Sequence, residues 1–298
     1  MSFSSKTKSE LCKEVIGKKC CAAAEAYGAL LYANSFSLSL IRFITSSPDF
    51  VLRLPKLFSK AFGVSFDASI CGKGGKHSLS ITDSAKIQQV FTALDYDPKR
   101  TLVHHINLPL LENECDQAAF LRGCFLSGGS VTDPKARYHL ELATMHASVS
   151  RELHAFLLEL SFEPKDLKRG SAYVTYFKQS SAVEDFLTLI GAPITAMDVM
   201  QAKVEKDMTN SINRLTNCDM ANADKVADAA QLQLRAIRKI ESGTGLDSLS
   251  PALQQTAFLR IANPECSLSD LAQLSTPPVT KSCLAHRMNK LIEISGIK

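Results

Sequence analysis

A short glycine- and lysine-rich stretch has the composition of a phosphate-binding site. It reads CGKGGKH and covers residues 71–77. A phosphate loop of the G-x-x-x-x-G-K-[ST] type needs wider glycine spacing, a Ser or Thr after the lysine, and then a helix. Here His77 follows the lysine, and the alternating residues after it indicate a strand. The pattern therefore predicts the tip of a basic β-hairpin, at which Lys73 and Lys76 are candidates for contact with DNA phosphates.

Histidines and carboxylates are the other residues with catalytic or metal-binding chemistry. His104 and His105 are adjacent, but no third ligand follows at a metal-binding spacing. His139 and Glu141 lie two residues apart in an alternating segment, which is typical of an exposed sheet face. Neither H-E-x-x-H nor G-x-S-x-G occurs in the sequence. The sequence therefore predicts no enzyme active site, no metal and no cofactor.

The nine cysteines contain no C-x-x-C pair and no Cys/His cluster with zinc spacing. Most are therefore expected to be buried or half-buried free thiols in a reducing compartment. Cys20 and Cys21 are adjacent, which raises the alternative of a redox sensor. Since adjacent side chains of a helix point to different sides, they are interpreted as two independent thiols.

The last 48 residues have the order and lengths of a helix-turn-helix. Three helices are predicted, in SPALQQTAFLRIANPEC, SLSDLAQL and TKSCLAHRMNKLIEI. In the third, Leu284, Met288 and Leu291 have the i, i+4, i+7 spacing of a buried face. The opposite face carries small, hydrogen-bonding and cationic side chains, which suit the DNA major groove: Lys281, Ser282, Ala285, His286 and Asn289. A purely structural three-helix unit is the alternative.

A polar, helix-permissive segment precedes these helices. Within it Asn210, Asn213, Arg214 and Asn217 fall at three- and four-residue spacings and form one stripe on a helix. Amide side chains are mediocre helix formers, so a stripe of them indicates a hydrogen-bonding role. A solvated linker helix is the alternative interpretation.

Composition and charge are those of a globular chain that stays in the cytoplasm. Of 298 residues, 45% are hydrophobic, and no run approaches the roughly 20 apolar residues that a membrane span needs. The N-terminal lysines are not followed by the apolar segment of a signal peptide. The net charge is +4, and residues 1–60 hold nine Lys/Arg against four Asp/Glu. Such a basic bias suits a polyanion without specifying one.

The first 190 or so residues are predicted to be a tandem duplication. Gly28 and Gly123 lie 95 residues apart, and the same offset matches Leu30 with Phe125 and Ser35 with Ser130. Around both glycines the periodicity predicts the order helix, hairpin, helix, hairpin, helix. The predicted organisation is an α+β domain at 1–194 with repeats at about 10–95 and 110–194, a helical linker at 195–245 and an all-α helix-turn-helix domain at 246–298.

Three blocks in this order resemble the WhiA family of bacterial DNA-binding regulators over essentially the full length. They are AFLRGCFLSGGSVTDPKARYHLEL, NSINRLTNC followed by AN, K, DAAQ and AI, and SLSDLAQLSTPPVTKSCLAHRMNKL. The resemblance implies a domain related to LAGLIDADG homing endonucleases, made of two αββαββα units, followed by a linker and a helix-turn-helix similar to the promoter-reading region of sigma factors. It also implies roles in transcription, cell division, chromosome segregation and, in spore-formers, sporulation.

The resemblance also indicates what became of the nuclease site. In active LAGLIDADG nucleases an acidic residue just before the final glycine of the motif helix binds the catalytic metal. Leu121, Gly123 and Gly129 match the motif, but Gly128 occupies the acidic position, and in the first repeat that position is Ala33. Neither residue can ligate a metal through its side chain, so no nuclease activity is expected. The segment between Ser35 and Ser47 is shorter than the matching hairpin of relatives. The first sheet is therefore expected to be trimmed, and its DNA-facing surface is left undetermined.

The resulting prediction is a non-enzymatic, cytoplasmic and nucleoid-associated regulator that binds promoter DNA. Base contacts are assigned to Lys281, Ser282, His286 and Asn289, and phosphate contacts to Thr280, Arg287 and Lys290. Secondary DNA contacts are assigned to two basic loops, with Lys73 and Lys76 in one and Lys165, Lys168 and Arg169 in the other. Another transcription factor or RNA polymerase is a candidate protein partner, and no membrane is. The alternatives are a metal-dependent endonuclease, and an interaction module with DNA affinity in residues 246–298 alone.

Overall fold

The computed structural model describes residues 2–96 and 103–297, which form two compact units divided between Lys206 and Asp207. The chain opens with helix α1, Phe3–Lys13. Helix α8, Pro193–Ser242, contains the point of division and most of the predicted linker at 195–245. No helix among the described residues is long and apolar enough to cross a membrane.

Each repeat contributes two long helices, a short helix and a four-stranded antiparallel sheet. The first repeat consists of α2 (Lys19–Leu31), β1 (Ser35–Phe36), β2 (Ile41–Thr45), α3 (Pro48–Phe62), β3 (Ala68–Cys71), β4 (His77–Ile81) and α4 (Ser84–Ala93). The second consists of α5 (Glu114–Gly128), β5 (Gly129–Val131), β6 (Leu140–Thr144), α6 (Ala147–Glu159), β7 (Lys165–Arg169), β8 (Ala172–Phe177) and α7 (Ser180–Leu189). The strand orders are equivalent, β1-β2-β4-β3 and β5-β6-β8-β7. This equivalence confirms the predicted duplication.

The motif helices α2 and α5 pack against each other through their glycines. A Cβ built on Gly28 would lie 3.0 Å from the backbone nitrogen of Cys124, and one on Gly123 would lie 2.8 Å from that of Ala29. The carbonyl oxygens of Phe120 and Glu25, respectively, would be closer still. Both pairs of contacts are related by the 95-residue offset, so the two backbones meet across a pseudo-twofold axis. Only glycine permits this approach.

A buried ionic cluster connects the repeats beside these glycines. Glu25, which is 2% exposed, accepts hydrogen bonds from Arg53 Nε at 2.6 Å and Nη2 at 2.8 Å. Arg122 of α5 adds a contact from its Nε to Glu25 Oε2 at 3.2 Å. The second guanidinium also donates from Nη1 to the carbonyl oxygen of Ile190 at 2.8 Å. A buried carboxylate between two arginines is expected to be costly to disrupt.

The second unit is all-helical. After α8 come α9 (Pro251–Ala262), α10 (Leu268–Leu274) and α11 (Lys281–Ser295). Their apolar faces share one core with the end of α8, which includes Ile237, Ala257, Leu271, Leu284 and Met288. Ser267 caps α10 by accepting a hydrogen bond from the Asp270 backbone N–H at 3.2 Å. The fold class predicted from the sequence, α+β followed by all-α, is thus the observed one.

Candidate nucleic-acid interface

Helix α11 presents one apolar and one polar face. Leu284, Met288 and Leu291 are each at most 1% exposed and pack into the core of the second unit. Since these three side chains fix the rotation of the helix, the opposite face must point to solvent. The exposed residues of α11 include five of the predicted DNA contacts: Lys281, Ser282, His286, Asn289 and Lys290.

The remaining predicted contacts have structural roles or are partly covered. Thr280 is the N-cap of α11, and its Oγ1 accepts a hydrogen bond from the Cys283 backbone N–H at 3.2 Å. Its hydroxyl proton stays available for donation to an acceptor such as a phosphate oxygen. Arg287 is half-buried. Lys290 Nζ lies 3.0 Å from Glu293 Oε2 in an exposed ion pair, which is weak enough for the lysine to exchange partners.

A buried arginine fixes the connection between α9 and α10. Arg260 is 1% exposed, and its Nη1 donates to the carbonyl oxygen of Cys266 at 2.6 Å and to that of Asn263 at 3.4 Å. Burial lowers the pKa of this guanidinium. The two hydrogen bonds hold the turn that leads into α10, which in turn packs against α11. Arg260 therefore helps to fix the position of the exposed helix α11.

A second lysine lies beside the N-terminal end of α11. Lys225 of α8 and Lys281 both line a cavity of about 220 Å³ that also touches Val226, Ala229 and Leu268. Lys225 is itself exposed. Two lysine side chains thus line the cavity beside the start of α11, where the positive end of the helix dipole also favours a phosphate.

The basic stretch at 165–169 is strand β7, whereas the sequence assigned it to a loop. Because strand side chains alternate between faces, Lys165 and Arg169 share the outer face of the sheet, and Lys168 lies on the opposite side. There Lys168 Nζ sits 5.3 Å from the centre of the Tyr173 ring. Lys168 therefore does not share a sheet face with the other two cations, and its contact with DNA stays a prediction.

Arg169 is also engaged by an acidic neighbour. Its Nη2 lies 3.0 Å from Glu141 Oε2, and His139 Nε2 lies 3.1 Å from the same oxygen. Burial raises the pKa of Glu141, but hydrogen bonds from Arg169 and His139 outweigh it, so the net shift is downward. Lys165 is the cation on this face without a described ion pair. The sheet surface is consequently less positive than the sequence suggests.

In the first repeat the predicted hairpin tip connects β3 to β4. The turn at Lys73–Gly75 includes Gly74 with φ of 73°, a conformation that favours glycine. Lys76 is exposed, whereas the side chain of Lys73 lies outside the described part of the structure. On the outer face of this sheet, Arg42 pairs with Ser80, and Ile44 pairs with Ser78. The described part of that face carries little positive charge.

The motif helices end where an active nuclease would hold its acids. Ala33 is half-buried just beyond α2, and Gly128 is the last residue of α5. A Cβ at Gly128 would lie 2.6 Å from the carbonyl oxygen of Ala143 and closer still to the ring of Tyr32. No group of three or more His, Cys, Asp or Glu ligands converges at this end of the helices among residues 2–96 and 103–297. The second repeat therefore has no space for a carboxylate at the motif position.

The predicted amide stripe lies on the second unit's part of α8. Asn210, Asn213, Arg214 and Asn217 are all exposed. With 100° of rotation per residue, the apolar side chains Met208, Ile212 and Leu215 fall on the opposite side, where they are about 60% exposed or more. Because both faces of this segment are exposed, neither the amide side chains nor the apolar ones are covered by other residues of the second unit.

Comparison with known families agrees with this arrangement. The family model of the WhiA LAGLIDADG-like domain matches residues 117–209, and that of the WhiA C-terminal HTH domain matches residues 212–295. A probable cell division protein WhiA of Carboxydothermus hydrogenoformans is 35% identical, over 98% of this chain and 96% of its own length. The chain belongs to the WhiA family. The resemblance drawn from the three sequence blocks is confirmed.

Further WhiA relatives give the same result. A probable cell division protein WhiA of Ruminiclostridium cellulolyticum is 33% identical, over 99% of this chain and 97% of its own. The crystal structure of full-length WhiA from Thermotoga maritima covers 99% of this chain and 98% of its own with a TM-score of 0.61. Its sequence identity is 24%, so it shows the shared fold.

Two positions in this WhiA chain were missed by sequence reasoning. Arg260 shares the buried side of α9 with Thr256 and Ala257, at the three- and four-residue spacings of a core stripe. This spacing could have identified Arg260 as a buried residue from the sequence. Lys225 gave no such signal, because its proximity to Lys281 depends on the packing of α8 against the last three helices.

Proposed function

We propose that this chain is a sequence-specific DNA-binding regulator of transcription that acts on genes of cell division and has no nuclease activity. The observation that carries the proposal is the exposed face of α11, where Lys281, Ser282, His286 and Asn289 are held outward by a buried apolar face. A rigid helix that offers donors and acceptors at this spacing is the usual reader of the major groove. The cell-division role follows the names of the relatives.

The contacts divide into two kinds. Asn289, Ser282 and His286 lie along the exposed face of α11 and are assigned to base edges, together with Lys281. Thr280, Arg287 and Lys290 are assigned to phosphates, and Lys225 joins them because it shares a cavity with Lys281. Lys165, Arg169 and the hairpin tip with Lys73 and Lys76 are a second, weaker contact region, since Glu141 already neutralises Arg169. The exposed amide stripe on α8 is a candidate surface for another transcription factor or RNA polymerase.

The direct test combines occupancy mapping with binding measurements. Genome-wide mapping of the tagged full-length protein identifies a bound promoter, and fluorescence anisotropy then measures affinity across salt concentrations. We expect Lys290→Gln to reduce the slope of log K against log salt by about 0.9, the value of one phosphate contact. Asn289→Ala is expected to cost about 1–3 kcal/mol on the bound promoter and much less on unrelated DNA.

The controls separate the proposal from its alternatives. Lys239→Gln replaces an exposed lysine of α8 that is not among the assigned contacts, and it should leave affinity and salt slope unchanged. If Lys281, Asn289 and Lys290 can each be replaced without effect, α11 is not the reading helix. Supercoiled plasmid incubated with Mg²⁺ or Mn²⁺ should stay intact, and nicking that is retained through purification would favour the endonuclease alternative. If Lys165→Gln has no effect while the α11 variants do, DNA affinity resides in the C-terminal region alone.

A further inference from the structure

Three thiols and one carboxylate come together at the opposite end of the motif helices from Ala33 and Gly128. They belong to the first turns of α2 and α5: Cys20, Cys21, Cys115 and Asp116. Cys20 and Cys115 are 95 residues apart, and so are Cys21 and Asp116. The pseudo-twofold axis that pairs Gly28 with Gly123 thus also brings these four side chains together from both repeats.

The distances among Cys20, Cys21 and Asp116 are those of a ligand set, and Cys115 lies beside this group. The Sγ atoms of Cys20 and Cys21 are 3.9 Å apart, and both lie within 4.8 Å of a carboxylate oxygen of Asp116. Cys115 Sγ lies 3.8 Å from Asp116 Oδ1. Both cysteines are free thiols, as expected from the sequence, but the expectation that their side chains point to different sides of α2 is wrong. Both side chains lie beside the first turn of α5. Their angular separation along α2 gave no indication of this.

Asp116 is the buried member of the group. The residue is 2% exposed, and its Oδ2 accepts a hydrogen bond from Nδ2 of Asn113, the residue before α5, at 2.9 Å. Its Oδ1 faces thiols, and none of the ion pairs among the described residues includes this carboxylate. The side-chain amide of Asn113 is the partner of one oxygen of Asp116. The other oxygen is left with weak S–H donors in a place where a carboxylate normally requires a strong partner.

We propose that Cys20, Cys21 and Asp116 bind a thiophilic divalent cation of the Zn²⁺ class, with Cys115 as the fourth ligand. Tetrahedral zinc with Zn–S bonds of about 2.3 Å requires sulfur atoms about 3.8 Å apart, close to the separation of Cys20 and Cys21. Thiolate ligands select zinc over the hard cations Mg²⁺ and Ca²⁺. The ion would replace the thiol protons and join the first turns of the two repeats.

The surroundings suit a thiolate site of this kind. Lys18 and Lys19 precede Cys20 and offset part of the negative charge of a site with several thiolates. Both ligand pairs lie in the first turn of a helix of more than ten residues, where the dipole stabilises anions. A thiol must lose its proton to become a metal ligand, so metal binding at neutral pH should release protons, which provides a second readout.

The test uses the reduced, full-length protein after removal of metal by a chelator. Titration with Co²⁺ should give one equivalent of tetrahedral cobalt absorption with thiolate charge transfer, and Zn²⁺ should displace it. Cys21→Ser and Asp116→Asn are each expected to weaken Co²⁺ binding by more than about 100-fold, beyond the loss typical of an outer partner. Asn113→Ala, which only orients Asp116, should cost about 10- to 100-fold.

Matched controls and a redox experiment determine whether the site is real. Cys71→Ser and Cys218→Ser remove exposed thiols elsewhere and should leave Co²⁺ binding unchanged. Zn²⁺ should raise the melting temperature of the wild type and of these controls, but not of Cys21→Ser, whose metal-free melting temperature should equal the wild-type value. Absence of a cobalt signal, or a signal retained in both Cys21→Ser and Asp116→Asn, would overturn the proposal. So would disulfide formation between these thiols under hydrogen peroxide in a protein that takes up no metal.

Discussion

Replacing Gly123 by alanine should destabilise the first unit, because the added methyl group has no space. Its Cβ would lie 2.8 Å from the Ala29 backbone nitrogen and closer to the Glu25 carbonyl oxygen. Both obstacles belong to the backbone of α2, so no side-chain rotation relieves the clash and the helices must separate. Overpacking of this type costs about 1–3 kcal/mol, and backbone obstacles favour the upper end. Alanine regains about 1 kcal/mol of helix propensity, which leaves a net loss of about 2 kcal/mol.

The assay is thermal unfolding of the purified full-length protein followed by circular dichroism. For a unit of roughly 200 residues a loss of about 2 kcal/mol lowers the melting temperature by about 4–8 °C. Gly17→Ala is the matched control, since a Cβ there meets nothing within 4 Å. Gly28→Ala should resemble Gly123→Ala, and the double variant should lose less than the sum, because one separation of the helices relieves both clashes. A Gly123→Ala protein that melts with the wild type would refute the close backbone approach of α2 and α5.

Three further predictions concern the same unit. Glu25→Gln should lower the free energy of unfolding by about 3–5 kcal/mol in urea titrations, because it leaves the buried guanidinium of Arg53 and the half-buried one of Arg122 without their carboxylate. The exposed control Glu163→Gln should not. Gly128→Asp should lower the melting temperature and should not create Mg²⁺-dependent plasmid cleavage, because the tight space beside Ala143 excludes the side chain. Burial and then the neighbouring His146 lower the pKa of His104 to about 4, so the unfolded chain, with a histidine pKa of about 6.5, takes up the proton first. The contribution of His104 to stability is therefore complete above pH 6.5 and is lost as the pH falls towards 4. Urea unfolding midpoints should decline over that fall in pH in the wild type, and they should change less in His104→Phe.

The duplicated fold was predictable because its signals are local and repeated. The 95-residue offset was derived from one pair of glycines, and the same offset relates the backbone atoms that each glycine contacts, Phe120 with Glu25 and Cys124 with Ala29. The order of helices and hairpins along the chain followed from the repeated periodicity, whereas the strand order, in which β2 pairs with β4 and β6 with β8, was not predicted. The buried face of α11 likewise followed from helical periodicity alone.

What the sequence did not reveal depends on contacts between distant segments. Lys168 was grouped with Lys165 and Arg169 because a basic run next to a glycine is typical of a turn, but strand pairing extends through that run and turns Lys168 to the other face. The partial neutralisation of Arg169 by Glu141 requires β6 and β7 to flank the same strand. Local spacing contains no information on such pairings.

The cysteine cluster shows the same limit in its clearest form. Metal-binding motifs are recognised by short spacings between ligands, whereas Cys21 and Asp116 are separated by 95 residues. The 95-residue offset could nevertheless have predicted this cluster. Residues related by a twofold axis lie close together wherever their helices approach that axis. Applied to every residue of α2 instead of the apolar ones, the offset alone pairs Cys20 with Cys115.

The two ends of the α2–α5 pair differ in chemical character, since one lacks metal-ligand side chains and the other carries them. The glycine packing between the ends is compatible with both. At the C-terminal ends the space beside Gly128 is filled by Tyr32 and by the backbone at Ala143, so an acid could return only if the sheet moved. At the N-terminal ends the helices bring ligand-forming side chains within 4.8 Å of one another. The glycine contacts lie between these ends and depend on neither, because they involve backbone atoms alone. Close packing of twin helices therefore requires no catalytic metal, and the same packing is sufficient to assemble a new set of ligands at the other end.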